Sequence, residues 1–221
     1  FRKYSNWTFL MTDPLKVLKG RIVITKFVRA NMLLPWMIKN FTFKYKPIFL
    51  IRHPIDTCIS QIRAFGEDTN VVQDTPPDCI NNERFIEHNA FIKTLSTHLE
   101  RKITTWCLNN ITTLKYPELS KETIVIYYED LVLDPESVME FILTNLKLGD
   151  NIDNIIKKQN LRKASKTDFK NDLIEDPTKQ LHKNFDKLDQ KTKDKIQAIF
   201  DYFDFKLYDA YSPFPKKQYL S

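Results

Sequence analysis

Glycine is scarce in this sequence, and its scarcity limits the phosphate sites that the chain can form. The 221 residues include 3 glycines, Gly20, Gly66 and Gly149, and none stands in a G-x-x-x-x-G-K-[ST] or S-G-T-T setting. A loop that wraps a phosphate needs main-chain N–H groups close to the oxygens, and glycine permits that approach. The sequence therefore lacks a glycine-rich phosphate loop. The lysine and the acidic magnesium ligands of a P-loop kinase are not in place either.

Cysteine and long apolar runs are also sparse. Cys58, Cys79 and Cys107 show no C-x-x-C or metal-ligand spacing, and an odd number of cysteines gives no disulfide framework. We expect Cys58 to be a small buried apolar residue. No stretch approaches the ~20 apolar residues of a membrane span, and the first residues show no signal-peptide pattern.

Positive charge is concentrated at the start of the chain. The net charge is +6, but residues 1–50 hold ten Lys or Arg and one acid, whereas residues 151–221 hold fifteen and eleven. The basic first fifty residues suit an anionic cofactor or acceptor, and equally a nucleic acid or an anionic membrane surface. The scattered lysines near the end are typical of a solvated surface.

Short apolar strands alternate with helical patterns along the chain. This alternation predicts an α/β fold, with a mostly parallel sheet and helices on both faces, in a single domain spanning residues 1–221. We expect Asp134 to cap a helix that begins at Pro135 and buries Val138, Phe141 and Ile142. The other predicted elements are strands 22–26, 48–51 and 124–128, and helices 29–40, 56–65, 83–114 (broken near Ser96) and 188–203.

The residues that could form a binding site are concentrated in one segment, Lys46-Pro-Ile-Phe-Leu-Ile-Arg-His-Pro-Ile-Asp-Thr-Cys-Ile-Ser60. An apolar strand ends at Arg52 and His53, Pro54 stops it, and the next helix carries Ser60 in its first turns. An arginine, a helix N-terminus and a hydroxyl thus meet at one point, which is the chemistry of a phosphate site. A packed turn with a surface salt bridge is the alternative on these residues alone.

A second segment, Tyr127-Tyr-Glu-Asp-Leu-Val-Leu-Asp-Pro-Glu136, follows the strand Ile124–Ile126. Taken together, I-R-H-P-I-D-T-C-I-S and Y-Y-E-D-L-V-L-D-P-E resemble the R-[ND]-P-x-D-x-x-x-S and Y-E-D-L-x-x-[DN]-P segments of the sulfotransferase family. Either segment alone would be a weak signal, and both in this order are a stronger one. His53 departs from the family's usual Asn or Asp.

The resemblance implies a P-loop-related sulfotransferase fold and a donor, 3′-phosphoadenosine-5′-phosphosulfate (PAPS). By position, Arg52 and Ser60 would hold its 3′-phosphate, and Lys26 would lie near the transferred group. Leu161-Arg-Lys-Ala-Ser-Lys-Thr167 resembles the family's basic segment over the nucleotide, which would give Arg162 and Lys163 a binding role. No metal is required.

The acceptor implied by the resemblance is a hydroxyl or amine on a carbohydrate, a protein or a small molecule. The sequence does not identify it, and nucleic acid is not the expected partner. The compartment stays open, with the cytoplasm and the Golgi lumen as the alternatives, and so does the oligomeric state.

The catalytic base is not identified. Val28 stands where some family members carry a histidine. His53, His88, Glu83 and Glu87 are candidates by their proximity to the proposed loop and helix. For Glu129 and Asp130 we expect a structural role that fixes the turn after the strand.

The family's phosphosulfate loop follows its first strand, and no counterpart precedes Arg21. We expect the chain to be a fragment that lacks this strand and loop, so that residues 1–221 alone do not transfer sulfate and the sheet has an open position. The alternative is a complete, non-catalytic domain that binds an anionic partner.

Overall fold

The structure is a computed structural model that describes residues 24–27, 30–66, 83–148 and 176–220. The chain divides into two compact units, Phe1–Asn31 and Met32–Ser221. In the first unit, residues 24–27 have no regular secondary structure and are exposed, with Ile24 90% exposed. The prediction of a strand over 22–26 is therefore wrong for its described part, because an isolated exposed segment has neither a ladder partner nor a core to pack on.

The second unit is an α/β structure in which helices outnumber strands. Its strands are β1 (Ile48–Ile51) and β2 (Ile124–Tyr127). Its helices are α1 (Leu34–Asn40), α2 (Pro54–Phe65), α3 (Glu83–Glu87), α4 (Asn89–Ile92), α5 (His98–Leu114), α6 (Leu119–Glu122), α7 (Tyr128–Leu133), α8 (Pro135–Asn145), α9 (Pro177–His182) and α10 (Gln190–Tyr202). Single 3₁₀ turns cover Asn31–Leu33, Phe185–Lys187 and Lys217–Leu220.

The two strands form a parallel pair in the predicted order. Ile48 lies opposite Ile124 and Ile51 lies opposite Tyr127, so both strands end at the same edge. The strand predicted over 124–128 is one residue shorter, because Tyr128 already begins α7. The shared end places Arg52 and the Y-E-D segment side by side.

One face of this pair covers the hydrophobic core. Phe49, Val125 and Tyr127 pack against the core, which Ile51 joins directly. The core is built chiefly by α2, α5, α10 and the segment after α10, through Ile55, Cys58, Ile103, Cys107, Leu108, Ile196, Ile199, Phe200, Phe203, Phe205, Leu207, Tyr208 and Ala210. The burial expected for Cys58 is confirmed, because the residue is 1% exposed.

The other face of the pair is only half covered. Ile124 and Ile126 are buried, and α8 packs against their strand. Ile48 and Leu50 on β1 are 48% and 53% exposed. Among the described residues β1 has one strand neighbour, β2.

Two helix starts follow from capping side chains. Thr97 forms a capping box with Glu100, and its hydroxyl accepts the Glu100 N–H at 3.2 Å. This box begins α5 and confirms the break expected near Ser96. Asp134 caps α8 by accepting the Ser137 N–H at 3.1 Å, as predicted.

The apolar stripe of α8 differs from the prediction. Phe141 is 50% exposed, whereas Leu143 is 8% exposed. Val138 and Ile142 are partly buried. The 3.6-residue period identifies a stripe but not which of its edges meets the sheet.

The packing of the core predicts how the free energy of unfolding responds when a side chain is truncated to alanine. Ile103→Ala should lower the free energy of unfolding by about 2–5 kcal/mol, because Ile103 is fully buried and its loss leaves a cavity. Ile86→Ala is the matched control, since Ile86 is 56% exposed on α3, and its cost should stay within about 0.5 kcal/mol. Urea unfolding measures both, and equal costs would contradict the assigned core.

Candidate functional site

The candidate site lies where β1 turns into α2. Arg52 and His53 form the turn, and Pro54 is the first helical residue, where its missing N–H costs no hydrogen bond. His53 caps the helix, because its Nδ1 accepts the Ile55 N–H at 3.1 Å. The turn therefore holds Arg52 next to the first turn of a 12-residue helix.

Arg52 is held by two contacts. Its Nη2 donates to Oδ2 of Asp56 at 3.2 Å, and its guanidinium carbon lies 4.3 Å from the centre of the Tyr128 ring. The Arg52 side chain is 30% exposed. Its Nε is buried and has no hydrogen-bond partner in the described part of the chain. The arginine is thus oriented but keeps one donor, Nε, that no group in the described ranges uses.

Asp56 is itself fixed by the C-terminal part of the chain. Its Oδ1 accepts from Nδ2 of Asn184 at 2.6 Å, and Oδ1 of Asn184 accepts from Arg63 at 3.1 Å. The Asp56 side chain is 4% exposed, so this carboxylate has little contact with water. The carboxylate cancels part of the positive charge of Arg52.

Ser60 lies on the same face of α2 as Asp56. Residues four apart on a helix are neighbours, and Arg52 contacts Asp56 directly, so the arginine, the carboxylate and the Ser60 hydroxyl follow one line. Ser60 is partly buried. Asp56 therefore lies between the two predicted phosphate ligands, Arg52 before α2 and Ser60 on it.

Tyr128 and Thr57 also lie at this turn, although the sequence did not predict them as site residues. Tyr128 stacks on Arg52 and accepts a hydrogen bond from Gln180 at 3.0 Å, and burial raises the pKa of its phenol. The parallel register, with Ile51 opposite Tyr127, is the signal that could have placed it. Thr57 has a buried hydroxyl oxygen without a partner among the described residues, in the first turn of α2.

His53 is a structural residue, so its place among the candidate bases is wrong. Its side chain is buried, Nδ1 accepts from Ile55, and Nε2 therefore carries the proton and donates to the Asp209 carbonyl at 3.0 Å. Burial lowers the pKa of His53 to about 3. An imidazole with both nitrogens engaged and no access to solvent does not take a substrate proton.

Glu129 joins this turn to the end of the chain. Its Oε1 accepts the His53 N–H at 2.9 Å, and its Oε2 accepts the Tyr208 O–H at 2.8 Å. Burial raises the pKa of Glu129, against the opposing effect of these two hydrogen bonds, and burial raises that of Tyr208 well above its ordinary value. These contacts agree with the structural role expected of Glu129. Asp130 pairs with Lys217 at 2.7 Å.

The other predicted site residues stay predictions. Lys26 is exposed and belongs to the unit Phe1–Asn31, so its place near the transferred group stays a prediction. Arg162, Lys163 and Val28 lie outside the described residues.

The remaining candidate bases lie at α3 or directly after it. His88 approaches the Tyr202 hydroxyl through Nδ1 at 3.0 Å, and Glu83 and Glu87 are exposed. Their role as a base stays a prediction.

Neither a metal centre nor a membrane span is found in the described ranges. No group of three or more histidine, cysteine or carboxylate side chains there could hold a metal ion. No helix there has the length and apolar character needed to cross a bilayer.

Comparison with known proteins gives one match. Residues 44–151 match a family described as "Sulfotransferase family", and both motifs lie inside the matched segment. This match confirms the resemblance drawn from the motifs. Searches of curated proteins and of solved structures found no match.

The buried imidazole predicts a pH-dependent stability. Because the pKa of His53 is lowered from 6.5 to about 3 in the fold, its contribution is present above pH 6.5 and is lost as the pH falls towards 3. The loss over this range should be on the order of 4 kcal/mol. Asn can cap the helix but does not titrate, so His53→Asn should remove this part of the pH dependence, although it costs stability at neutral pH. Urea unfolding of both proteins across this range measures the difference, and parallel curves would contradict it.

Proposed function

Residues 44–151 match the sulfotransferase family, and on that premise we propose that the protein transfers a sulfuryl group from PAPS to a hydroxyl or amine acceptor. The observation that supports this proposal best is the line of Arg52, Asp56 and Ser60 along one face at the start of α2. The proposed role of this line is to bind the 3′-phosphate of the donor.

The residues at the turn fit a phosphate. An arginine fork binds phosphate oxygens in pairs, and Nε of Arg52 is a donor that no described protein group uses. Ser60 offers a hydroxyl one helical turn beyond Asp56, and the positive end of α2 adds to the attraction. Asp56 opposes an anion by its charge, but it also holds the guanidinium in one orientation, so less side-chain entropy is lost on binding.

The reaction requires more than this anchor. In sulfuryl transfer the bond between sulfur and the 5′-phosphate oxygen breaks while a bond to the acceptor oxygen or nitrogen forms, and the acceptor loses a proton. Holding the far end of the donor fixes the line along which the acceptor must approach. We propose that Lys26 offsets charge on the departing oxygen, and that Arg162 and Lys163 bind the nucleotide.

A binding domain without catalysis is the second candidate. It is favoured by one observation, the burial of His53, because this removes the only histidine in the arginine motif from the candidate bases. Such a domain would bind an anionic partner, such as a sulfated glycan, through the same turn. Assays with labelled PAPS and a panel of hydroxyl and amine acceptors separate the two, since only the enzyme yields a labelled acceptor.

The proposed phosphate contact of Arg52 predicts that its removal weakens nucleotide binding. Arg52→Ala should weaken the binding of 3′-phosphoadenosine-5′-phosphate by about 2 kcal/mol, or about 30-fold, because it deletes a charge-assisted hydrogen-bond donor. Lys93→Ala removes one positive charge from the exposed end of α4 and should leave the affinity nearly unchanged. Isothermal titration calorimetry compares the three proteins. An unchanged affinity in Arg52→Ala, or an equal loss in both variants, would reject the assignment.

A further inference from the structure

A groove runs along the edge of β2 that faces away from β1. Its volume is about 260 Å³. The residues that line it come from β2, α6, α8, the start of β1 and the last 3₁₀ turn: Lys46, Ser120, Thr123, Ile124, Val125, Tyr127, Phe141, Asn145, Lys217 and Leu220. Arg52, Asp56 and Ser60 do not line it, so the groove is a different feature from the proposed donor site.

The edge of β2 presents unused main-chain groups to this groove. In a parallel ladder, alternate residues of a strand bond to one neighbour and the residues between them point to the other side. The Ile124 N–H donates to the Pro47 carbonyl at 2.9 Å, so the main-chain groups of Ile124 and Ile126 face β1. Val125 therefore directs both its main-chain groups, and Tyr127 its N–H, away from β1 and towards the groove, whereas the Tyr127 carbonyl accepts the first hydrogen bond of α7. No strand in the described part of the chain pairs with them.

Two different walls flank this edge. Phe141 and Asn145 of α8 form one wall, and the Phe141 ring is 50% exposed. Lys217 and Leu220 of the last 3₁₀ turn form the other. An extended segment that lies along the edge places successive side chains towards opposite walls. One wall offers an aromatic surface and the other an apolar and a cationic one.

The charge of the groove selects acidic side chains. The lining holds two lysines and no acid. Lys217 already pairs with Asp130 at 2.7 Å, whereas the described hydrogen bond of Lys46 goes to the neutral Lys121 carbonyl. Lys46 therefore has no carboxylate partner among the described residues, and a carboxylate would be favoured at its end of the groove.

The size of the groove argues against a nucleotide. Sites for ligands of that size usually enclose about 300–1,000 Å³, and this groove is smaller. Its volume equals that of about nine liquid water molecules. An extended chain that leaves most of its surface in solvent fits such a shallow groove.

We propose that the edge of β2 binds an extended, acidic segment of a partner polypeptide, which adds to the sheet as a strand beside β2. Its main chain pairs with Val125 and Tyr127, which provides affinity irrespective of sequence. An acidic side chain near Lys46 and an apolar one against Phe141 provide selectivity.

Amide hydrogen exchange, followed by NMR on the full chain, tests the proposal. The probe is the peptide acetyl-EVTVE-amide at about ten times its dissociation constant. Exchange at the Val125 and Tyr127 amides should slow about tenfold, since only the free protein exchanges. The Ile124 and Ile126 amides already bond to β1, so they should be protected before any peptide is added and serve as internal references for a paired amide. A peptide N-methylated at its three central residues lacks the donors and should not bind.

Reversal of the charge on Lys46 and on the peptide tests the charge selectivity, with a matched control variant. Lys46→Glu should weaken acetyl-EVTVE-amide and strengthen acetyl-KVTVK-amide, whereas Lys93→Glu should change neither. Absence of binding, or binding that leaves the Val125 and Tyr127 amides unprotected, would overturn the proposal. Protection of these two amides before any peptide is added would also overturn it, because the edge would then be covered by another segment of this chain.

Discussion

The arrangement of the site depends on one buried carboxylate. Glu129 follows β2 in the sequence, accepts the main-chain N–H of His53 at the end of β1, and accepts the Tyr208 hydroxyl from the segment after α10. Three distant parts of the chain therefore meet at two oxygens. Burial of a carboxylate is costly unless it is hydrogen-bonded, and removal of either donor would leave a buried acceptor unpaired. This requirement fixes the position of the turn that carries Arg52.

The orientation of Arg52 at the turn follows from the contacts that balance its charge. Arg52 faces a carboxylate and an aromatic ring, which restrict its orientation without using all its donors. Asp56 in turn is held by Asn184, more than a hundred residues away. The fold thus orders the arginine before any ligand binds. The proposed binding of a phosphate there would gain a charge-assisted contact at a reduced entropic cost.

Local patterns predicted the elements that carry the site but not the contacts that support it. The apolar runs at 48–51 and 124–128, Pro54 and the cap at Asp134 are read from neighbouring residues, and the fold has each of them, with the second strand one residue shorter. The roles of Asn184, Tyr208 and Asp209 depend on tertiary contacts across more than seventy residues, which no local period reveals. Phe141 shows the same limit, since its period indicated burial whereas it lines an open groove.

The central claim is that Arg52 recognises the 3′-phosphate of the donor nucleotide. Its most direct test compares 3′-phosphoadenosine-5′-phosphate with adenosine-5′-monophosphate, which differ only in that phosphate, on the wild type and on Arg52→Ala. The account predicts that the wild type prefers the first nucleotide by about 30-fold or more and that Arg52→Ala loses about 30-fold of this preference, with its affinity for the monophosphate unchanged. A preference that survives the substitution in full would contradict it.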